Sequence, residues 1–311
     1  MAGYLDMIDE KYPVRCGTAQ KEAFRAWALE EAKKNGIEKT AAETNEWHTQ
    51  LVFGDPQRAK VIFTAHYDTP RRSLTPNLML VSNPVLYWAY NFGVALVMLA
   101  AALGAVLAAK TLLGLDRHMM THRFILLAVY MAVYFGLFLL ILKGPANKRN
   151  RNDNTSGTAA VMELTRSLSG CGDAALILFD DEEKGKKGSK AFAREHPAIR
   201  ENALVVNLDC VGNGDTFVFC PTRGAQDHPM WPALKSAVEK AGLSVRFLSA
   251  GRAQMNSDQK SFKNGVGVCA CMHRPVIGFY ADRIHTCRDT VADPDNIDRL
   301  ADALASFAKN L

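Results

Sequence analysis

Residues 73–109 carry no charged side chain, and neither do residues 124–142, giving uncharged runs of 37 and 19 residues. The hydrocarbon core of a bilayer is about 30 Å thick and is crossed by about 20 helical residues. The second run approaches that length and the first exceeds it. Helical spans are therefore expected near Val85–Ala109 and Phe124–Leu142, with Tyr87, Trp88 and Tyr90 at one membrane interface. The connector from Lys110 to Arg123 is short and charged, so the spans form a hairpin and both its ends return to one side. The alternative is a buried helical pair, but a chain of 311 residues would be hard pressed to cover two such helices. The expected organisation is one domain made of residues 1–72 and 143–311, with residues 73–142 inserted as a transmembrane helical hairpin.

Outside the hairpin the pattern alternates between helix and strand. Phe24, Ala28 and Ala32 recur every fourth position, widened by Ala23 and Trp27, which predicts a helix over 18–35 that Gly36 ends. Strands are expected at Thr49–Phe53 and Lys60–Ala65, on either side of the turn Gly54-Asp55-Pro56. After the hairpin, residues 156–169 read as a helix. Ala174–Phe179 and Ala203–Leu208 are short apolar runs of the kind found in buried parallel strands. Amphipathic helices follow at 228–241 and 295–309. The fold class is α/β: a mixed, mostly parallel sheet between helices, with the two-helix hairpin inserted.

The net charge of +5 is mild, and no basic face interleaved with aromatics marks a nucleic-acid partner. Arg71, Arg72, Lys143, Lys148, Arg149 and Arg151 flank the base of the hairpin, against Lys110, Arg117 and Arg123 at its tip. Six against three places the main domain on the cytoplasmic side of a multi-pass membrane protein. The segment Met1-Ala2-Gly3-Tyr4-Leu5-Asp6 lacks the pattern of a cleavable signal peptide. The seven cysteines form neither a disulfide framework nor a CxxC metal ribbon, and free thiols in a reducing compartment are expected. Cys287, two residues after His285, is read as a small residue lining a site rather than a ligand.

Five short motifs carry chemistry. They are His66-Tyr67-Asp68, Asp153-Asn154-Thr155-Ser156-Gly157, Glu182-Glu183, Asp209 in Asn207-Leu208-Asp209, and His285 in the stretch ending Asp289-Thr290. Each alone is ordinary: a packed histidine, a turn into a helix cap, a solvated acidic pair, a strand-end cap, a loop histidine. Together they supply two histidines and three carboxylates, enough to hold two adjacent cations, with another glutamate free to move a proton. Three of the groups follow expected strands, at the carboxyl ends where open α/β sheets place their ligands. Gly212-Asn213-Gly214 is read as a turn rather than a phosphate loop. Asp289, Thr290 and Asp293 are read as shaping the loop that presents His285.

The five motifs in this order resemble the co-catalytic zinc aminopeptidases, family twenty-eight of the metallopeptidases, whose relatives include glutamate carboxypeptidases and glutaminyl cyclases. The resemblance covers residues 18–311 apart from the hairpin and extends to Glu182-Glu183-Lys184-Gly185-Lys186-Lys187-Gly188-Ser189 and Ser257-Asp258-Gln259-Lys260-Ser261-Phe262. The family often has His where this chain has Gln259. The resemblance implies that His66 and Asp209 bind one ion, that Glu183 and His285 bind the other, and that Asp153 bridges them. Two divalent ions, zinc by family habit, lower the pKa of a shared water toward neutrality. Glu182 is then the general base, and Asp68 orients the imidazole of His66. The expected activity is that of a membrane-anchored aminopeptidase acting on peptides, with lipid as a second partner through the hairpin. Glutaminyl cyclisation or carboxypeptidase action on the same fold, or a non-catalytic scaffold, are the alternatives.

Overall fold

The structure is a computed structural model and describes residues 3–73, 78–116, 118–142 and 144–311. Lys143 and Arg117, two of the charges counted for orientation, lie outside the described residues. The chain opens with α1 (Tyr4–Lys11) and α2 (Thr18–Lys34), then strands β1 (Thr40–Asn45), β2 (His48–Phe53), β3 (Val61–His66) and β4 (Met79–Leu80). The long helices α3 (Pro84–Leu112) and α4 (Met120–Leu142) follow. A wide π-type turn over Arg151–Ser156 leads into α5 (Gly157–Ser167), β5 (Ala174–Phe179), α6 (Lys187–Glu195), α7 (Pro197–Asn202) and β6 (Leu204–Leu208). The rest is β7 (Thr216–Pro221), α8 (Arg223–Gln226), α9 (Trp231–Lys240), β8 (Val245–Phe247), β9 (Gly265–Arg274), β10 (Gly278–Ala281) and α10 (Pro294–Lys309).

The strands form one mixed sheet in the order β1-β2-β5-β3-β6-β9-β10-β4, with β7 on β9 and β8 on β7. Its centre is parallel: β3 pairs with β5 and β6, and β6 with β9. Antiparallel strands extend it on both sides. The period of two along the central strands builds two cores. Val61, Phe63 and Ala65 of β3, Leu176 and Leu178 of β5, and Val206 and Leu208 of β6 face the core shared with α1, α2, α5, α9 and α10. Ile62, Ile177, Phe179 and Val205 point the other way, onto Phe192 and Ile199 of α6 and α7. Burying side chains of this size contributes roughly 2–3 kcal/mol each. Both faces of the parallel strands are thus dry, which leaves the strand ends as the place for polar chemistry.

The chain leaves the centre of this sheet after β3, touches its edge again as β4 on β10, and comes back after α4, and the two ends of this excursion are stitched together. Arg71 bridges Ala146 in an antiparallel pair, and the backbone N–H of Arg72 donates to Pro145 O at 2.8 Å. Asn147 N donates to Pro70 O at 3.2 Å. A Cβ on Gly144 would stand 1.9 Å from Arg72 O, so this crossing requires glycine. Beyond it, α3 and α4 pack on each other as a hairpin. Both are long and apolar enough to cross a membrane, and only 11% and 0% of their most apolar windows are buried. A buried helical pair inside the α/β unit is therefore excluded.

Candidate active site

Four strand or turn ends converge beyond the carboxyl edge of the parallel strands. His66 is the last residue of β3, Glu182 and Glu183 follow β5, Asp209 follows β6, and Asp153 lies in the π-type turn ahead of α5. Hydrogen bonds from the Asp153 segment lock these ends together. Asn154 straddles Asp209: its Nδ2 donates to Leu208 O at 2.9 Å, and its Oδ1 accepts from Cys210 N at 3.2 Å. Thr158 Oγ1 donates to His66 O at 2.9 Å. Asn152 Oδ1 accepts the backbone N–H groups of Gly212 and Asn213 at 2.9 and 3.0 Å, so that stretch is the turn expected from its glycines. A Cβ on Gly157 would meet Leu208 O at 2.2 Å, which explains the glycine closing this motif.

The resulting cluster centres on one carboxylate. Asp153 Oδ1 lies 3.6 Å from His66 Nε2, while its Oδ2 lies 3.0 Å from His285 Nε2. His66 Nε2 is also 3.7 Å from Asp209 Oδ1, and His285 Nε2 is 3.3 Å from Glu183 Oε2. His66, Asp153 and Glu183 form one group with metal-ligand spacing, and Asp153, Asp209 and Cys210 form another. Every metal-ligand candidate from the sequence is thus brought to one place. Cys210, rather than Cys287, is the thiol beside the cluster; Cys287 is exposed.

Asp68 is doubly engaged. His66 Nδ1 lies 3.4 Å from its Oδ1 and 3.1 Å from its backbone oxygen. The same carboxylate accepts the backbone N–H of Glu182 at 3.0 Å and of Glu183 at 3.2 Å. The sequence suggested only the contact with His66. Asp289, read from the sequence as shaping the His285 loop, has a further role, and Asp258 and Arg15 escaped the sequence reading. Asp289 holds the backbone of Asn152 and Asp153 through its two oxygens, at 2.9 and 3.0 Å. Asp258 is fully buried, and neither of its carboxylate oxygens has a hydrogen-bond partner among the described residues. Arg15, also fully buried, binds Tyr67 O at 2.5 Å and Thr155 Oγ1 at 3.1 Å. Gln259 packs beneath the site, its Nε2 donating to Met255 O at 3.1 Å, and does not line the cavity.

The electrostatics are those of a buried anionic nest. Burial opposes a charged imidazole at His66, yet the carboxylates of Asp209 and Asp68 outweigh it and raise its pKa well above the ordinary range. His285 behaves alike, burial being overcome by Glu183 and Asp153. A field that holds a proton so firmly also favours a cation. Burial raises Glu182 well above the usual carboxylate range, assisted by Asp258 and Glu183 and opposed by His66. Glu183 Oε1 is buried without a hydrogen-bond partner among the described residues, although most buried polar atoms have one. Imidazole and carboxylate donors around an orphaned oxygen fit zinc or another divalent ion. The cluster opens into a cavity of about 190 Å³.

Solved structures share this fold. The chain matches a glutaminyl cyclase of Porphyromonas gingivalis with a TM-score of 0.59 at 15% identity, over 99% of this chain and 96% of that one. It matches the LapA aminopeptidase of Legionella pneumophila with a TM-score of 0.58 at 16% identity, over 98% of this chain and 69% of that one. A glutaminyl cyclase of Fimbriiglobus ruber follows with a TM-score of 0.57 at 12% identity, over 99% and 93% of the two chains. No curated protein sequence matches the chain. The sequence profile of Peptidase family M28 matches residues 145–308, a stretch that holds four of the five motifs and more than half of the chain. The chain belongs to Peptidase family M28.

Proposed function

We propose that this protein is a membrane-anchored, zinc-dependent aminopeptidase with two metal ions. Residues 1–72 and 143–311 form its catalytic unit, and residues 73–142 form its membrane hairpin. The observation that carries the reading is the Asp153 carboxylate, whose two oxygens face two different imidazoles, 3.6 Å from His66 and 3.0 Å from His285. That arrangement suits a bridging ligand. His66 with Asp209 would hold one ion, and Glu183 with His285 the other. The ions would supply Lewis acidity and a water made acidic near neutral pH.

The protein's own groups supply the rest. Glu182 stands at the cavity with its pKa raised chiefly by burial, which suits a carboxylate that takes a proton from water and returns it to a leaving amine. Asp68 holds Glu182 and Glu183 by their backbone N–H groups and orients His66, so it positions both the base and a ligand. Six Lys and Arg residues at the hairpin base against three at its tip favour a cytoplasmic catalytic unit.

The test is hydrolysis of a panel of aminoacyl-p-nitroanilides by detergent-purified full-length protein, before and after chelation and zinc addition, beside Glu182→Gln. Activity lost to chelator, restored by zinc and missing in the variant supports the reading. A fully metallated wild type that leaves every anilide intact but cyclises an N-terminal glutaminyl peptide would replace it with a cyclase.

A further inference from the structure

The catalytic cavity has a wall that comes from the inserted hairpin. One side of the cavity is the cluster of carboxylates and His285. The rest of its lining is mixed: Leu78, Met79 and Leu80 from the segment entering the hairpin, Tyr87 from the first turn of α3 and Ile284 are its apolar part, beside the amides of Gln254 and Asn256. This wall is fixed in place. Leu80 pairs in register with Tyr280, Val81 N donates to Phe279 O at 3.2 Å, and Gln254 N donates to Val81 O at 3.0 Å. Asn83 caps α3 by accepting from Leu86 N at 3.0 Å, and its Nδ2 donates to Val276 O at 3.2 Å. The backbone N–H of Tyr87 donates to Asn83 O at 3.0 Å. On the approach to the hairpin, Ser73 N donates to the backbone oxygen of His285 at 2.8 Å. The helix that leaves for the membrane and the catalytic loop therefore share one hydrogen-bonded frame.

Depth follows from length. The 29 residues of α3 span about 43 Å at about 1.5 Å each, against about 30 Å of hydrocarbon. With that surplus at its N-terminal end, the first turns, with Tyr87, Trp88 and Tyr90, would lie in the headgroup layer where aromatic side chains settle. Tyr87 and Trp88 also pack edge to face at 5.6 Å.

We propose that the hairpin is a specificity element as well as an anchor. Tyr87, with Leu78, Met79 and Leu80, receives a large apolar first residue of a peptide that lies in the headgroup layer of the bilayer. This rests on the peptidase reading above and names the substrate class of that site. An apolar side chain entering the cavity gains contact with this wall, whereas a charged one would be desolvated against it. A peptide already lying at the surface reaches the cavity without leaving the lipid.

The experiment uses full-length protein in phosphatidylcholine vesicles. The substrates are peptides that begin with Leu or Ala and share one amphipathic, vesicle-binding tail, and a Leu peptide without that tail. Turnover is measured for the wild type, Tyr87→Ala and Tyr87→Phe. Binding of fluorescently labelled Leu and Ala peptides is measured by anisotropy on Glu182→Gln and on that variant combined with Tyr87→Ala. The wild type should favour Leu over Ala by about tenfold or more, the scale on which apolar pockets discriminate. Tyr87→Ala should collapse that ratio to within about twofold, through KM and binding rather than kcat, and Tyr87→Phe should keep it. The tailless Leu peptide should show a KM about tenfold higher. A Leu-to-Ala ratio that is the same with and without Tyr87 overturns the specificity role, and equal KM with and without the tail overturns delivery from the surface. Selective, Tyr87-dependent binding without hydrolysis of any peptide would leave this inference standing and remove the peptidase reading instead.

Discussion

The carboxylate of Asp289 accepts the backbone N–H of Asp153, a residue 136 positions earlier in the chain, at 3.0 Å. Its other oxygen takes Asn152 N at 2.9 Å. Burial, reinforced by the nearby Asp153 charge, raises the Asp289 pKa to about 8, and the two backbone N–H groups oppose that shift. The pair fixes the backbone from which the central carboxylate projects. Asp289→Ala leaves two buried N–H donors unpaired and should cost about 2 kcal/mol of stability. Zinc affinity should fall by about tenfold or more, as is usual when a ligand loses its support. Metal content after dialysis against zinc buffers, set beside thermal unfolding, checks this. Full occupancy at wild-type affinity would remove Asp289 from any positioning role.

Asp68 bears on two strand ends at once. In a role limited to orienting His66, its loss would disturb one ligand. Its hydrogen bonds to the backbone of Glu182 and Glu183 predict a broader defect, because the base and a second ligand move with it. Asp68→Ala should lower kcat by about 10–100-fold with KM little changed. Asp68→Asn keeps one acceptor and should fall between. A defect confined to metal affinity, with normal kcat once zinc is saturating, would restrict Asp68 to His66.

Much of this was legible in the sequence, and the reasons are local. The strands carrying His66, Glu182 and Asp209 are short apolar runs ended by polar residues, and they run Val61–His66, Ala174–Phe179 and Leu204–Leu208 in the structure. The hairpin announced itself by composition. Its helices are longer than expected, α3 running on to Leu112 and α4 starting at Met120, because Lys110 and Thr111 at the one end and Thr121, His122 and Arg123 at the other dilute the apolar signal. The strand β9 gave no such signal, since Gly265, Gly267 and several cysteines interrupt its apolar pattern. A Cβ at Gly267 would meet Met255 Sδ at 2.5 Å, so any larger residue there would have to displace that side chain. Asp289 and Tyr87 were placed in the His285 loop and at a membrane interface, but their particular roles were hidden for another reason. Their roles depend on contacts with residues far away in sequence, and neither residue type nor spacing encodes those contacts.

Behind Glu182 and Glu183 lies a buried ion cluster. Lys21 Nζ from α2 is 2.5 Å from Asp180 Oδ1 and 2.5 Å from Asp181 Oδ1, with both carboxylates almost fully covered. His48 Nδ1 meets Asp181 Oδ2 at 2.8 Å, and Gln50 Oε1 accepts from Asp180 N at 2.8 Å. Lys21→Met keeps the length of the side chain and removes the charge, leaving two buried carboxylates short of a partner. A stability loss of about 3–5 kcal/mol is expected. Thermal unfolding in detergent, followed by tryptophan fluorescence, measures it. A loss below about 1 kcal/mol would mean that water or Lys184 replaces Lys21.

Metal binding should register in stability as well as in turnover. A ligand at about a thousand times its dissociation constant adds about 4 kcal/mol to the folded state. For a chain of this size that corresponds to a shift in Tm of roughly 10 °C. Chelation should lower Tm by about that amount, zinc should restore it, and Glu183→Gln should reduce the difference between the two states. An unchanged Tm in every zinc and chelator condition would count against a metal held by buried ligands, whatever the activity assay shows.

The orientation of the hairpin can be read with one native and one introduced thiol. Cys287 is exposed on the catalytic unit, and Leu113, 64% exposed, lies at the tip just beyond α3. The orientation proposed from the charge bias at the base of the hairpin predicts Cys287 in the cytoplasm and position 113 across the bilayer. Two variants lacking the partly exposed Cys16 and Cys171 would each present one reactive thiol, either native Cys287 or Leu113→Cys with Cys287→Ser. In intact cells a membrane-impermeant maleimide should modify the thiol at position 113 and spare Cys287 until the membrane is opened. The reverse pattern would invert the topology and place the catalytic cavity outside the cytoplasm. Equal labelling of both thiols in intact cells would mean that α3 and α4 do not span the bilayer, and the headgroup-layer depth assigned to Tyr87 would fall with the span.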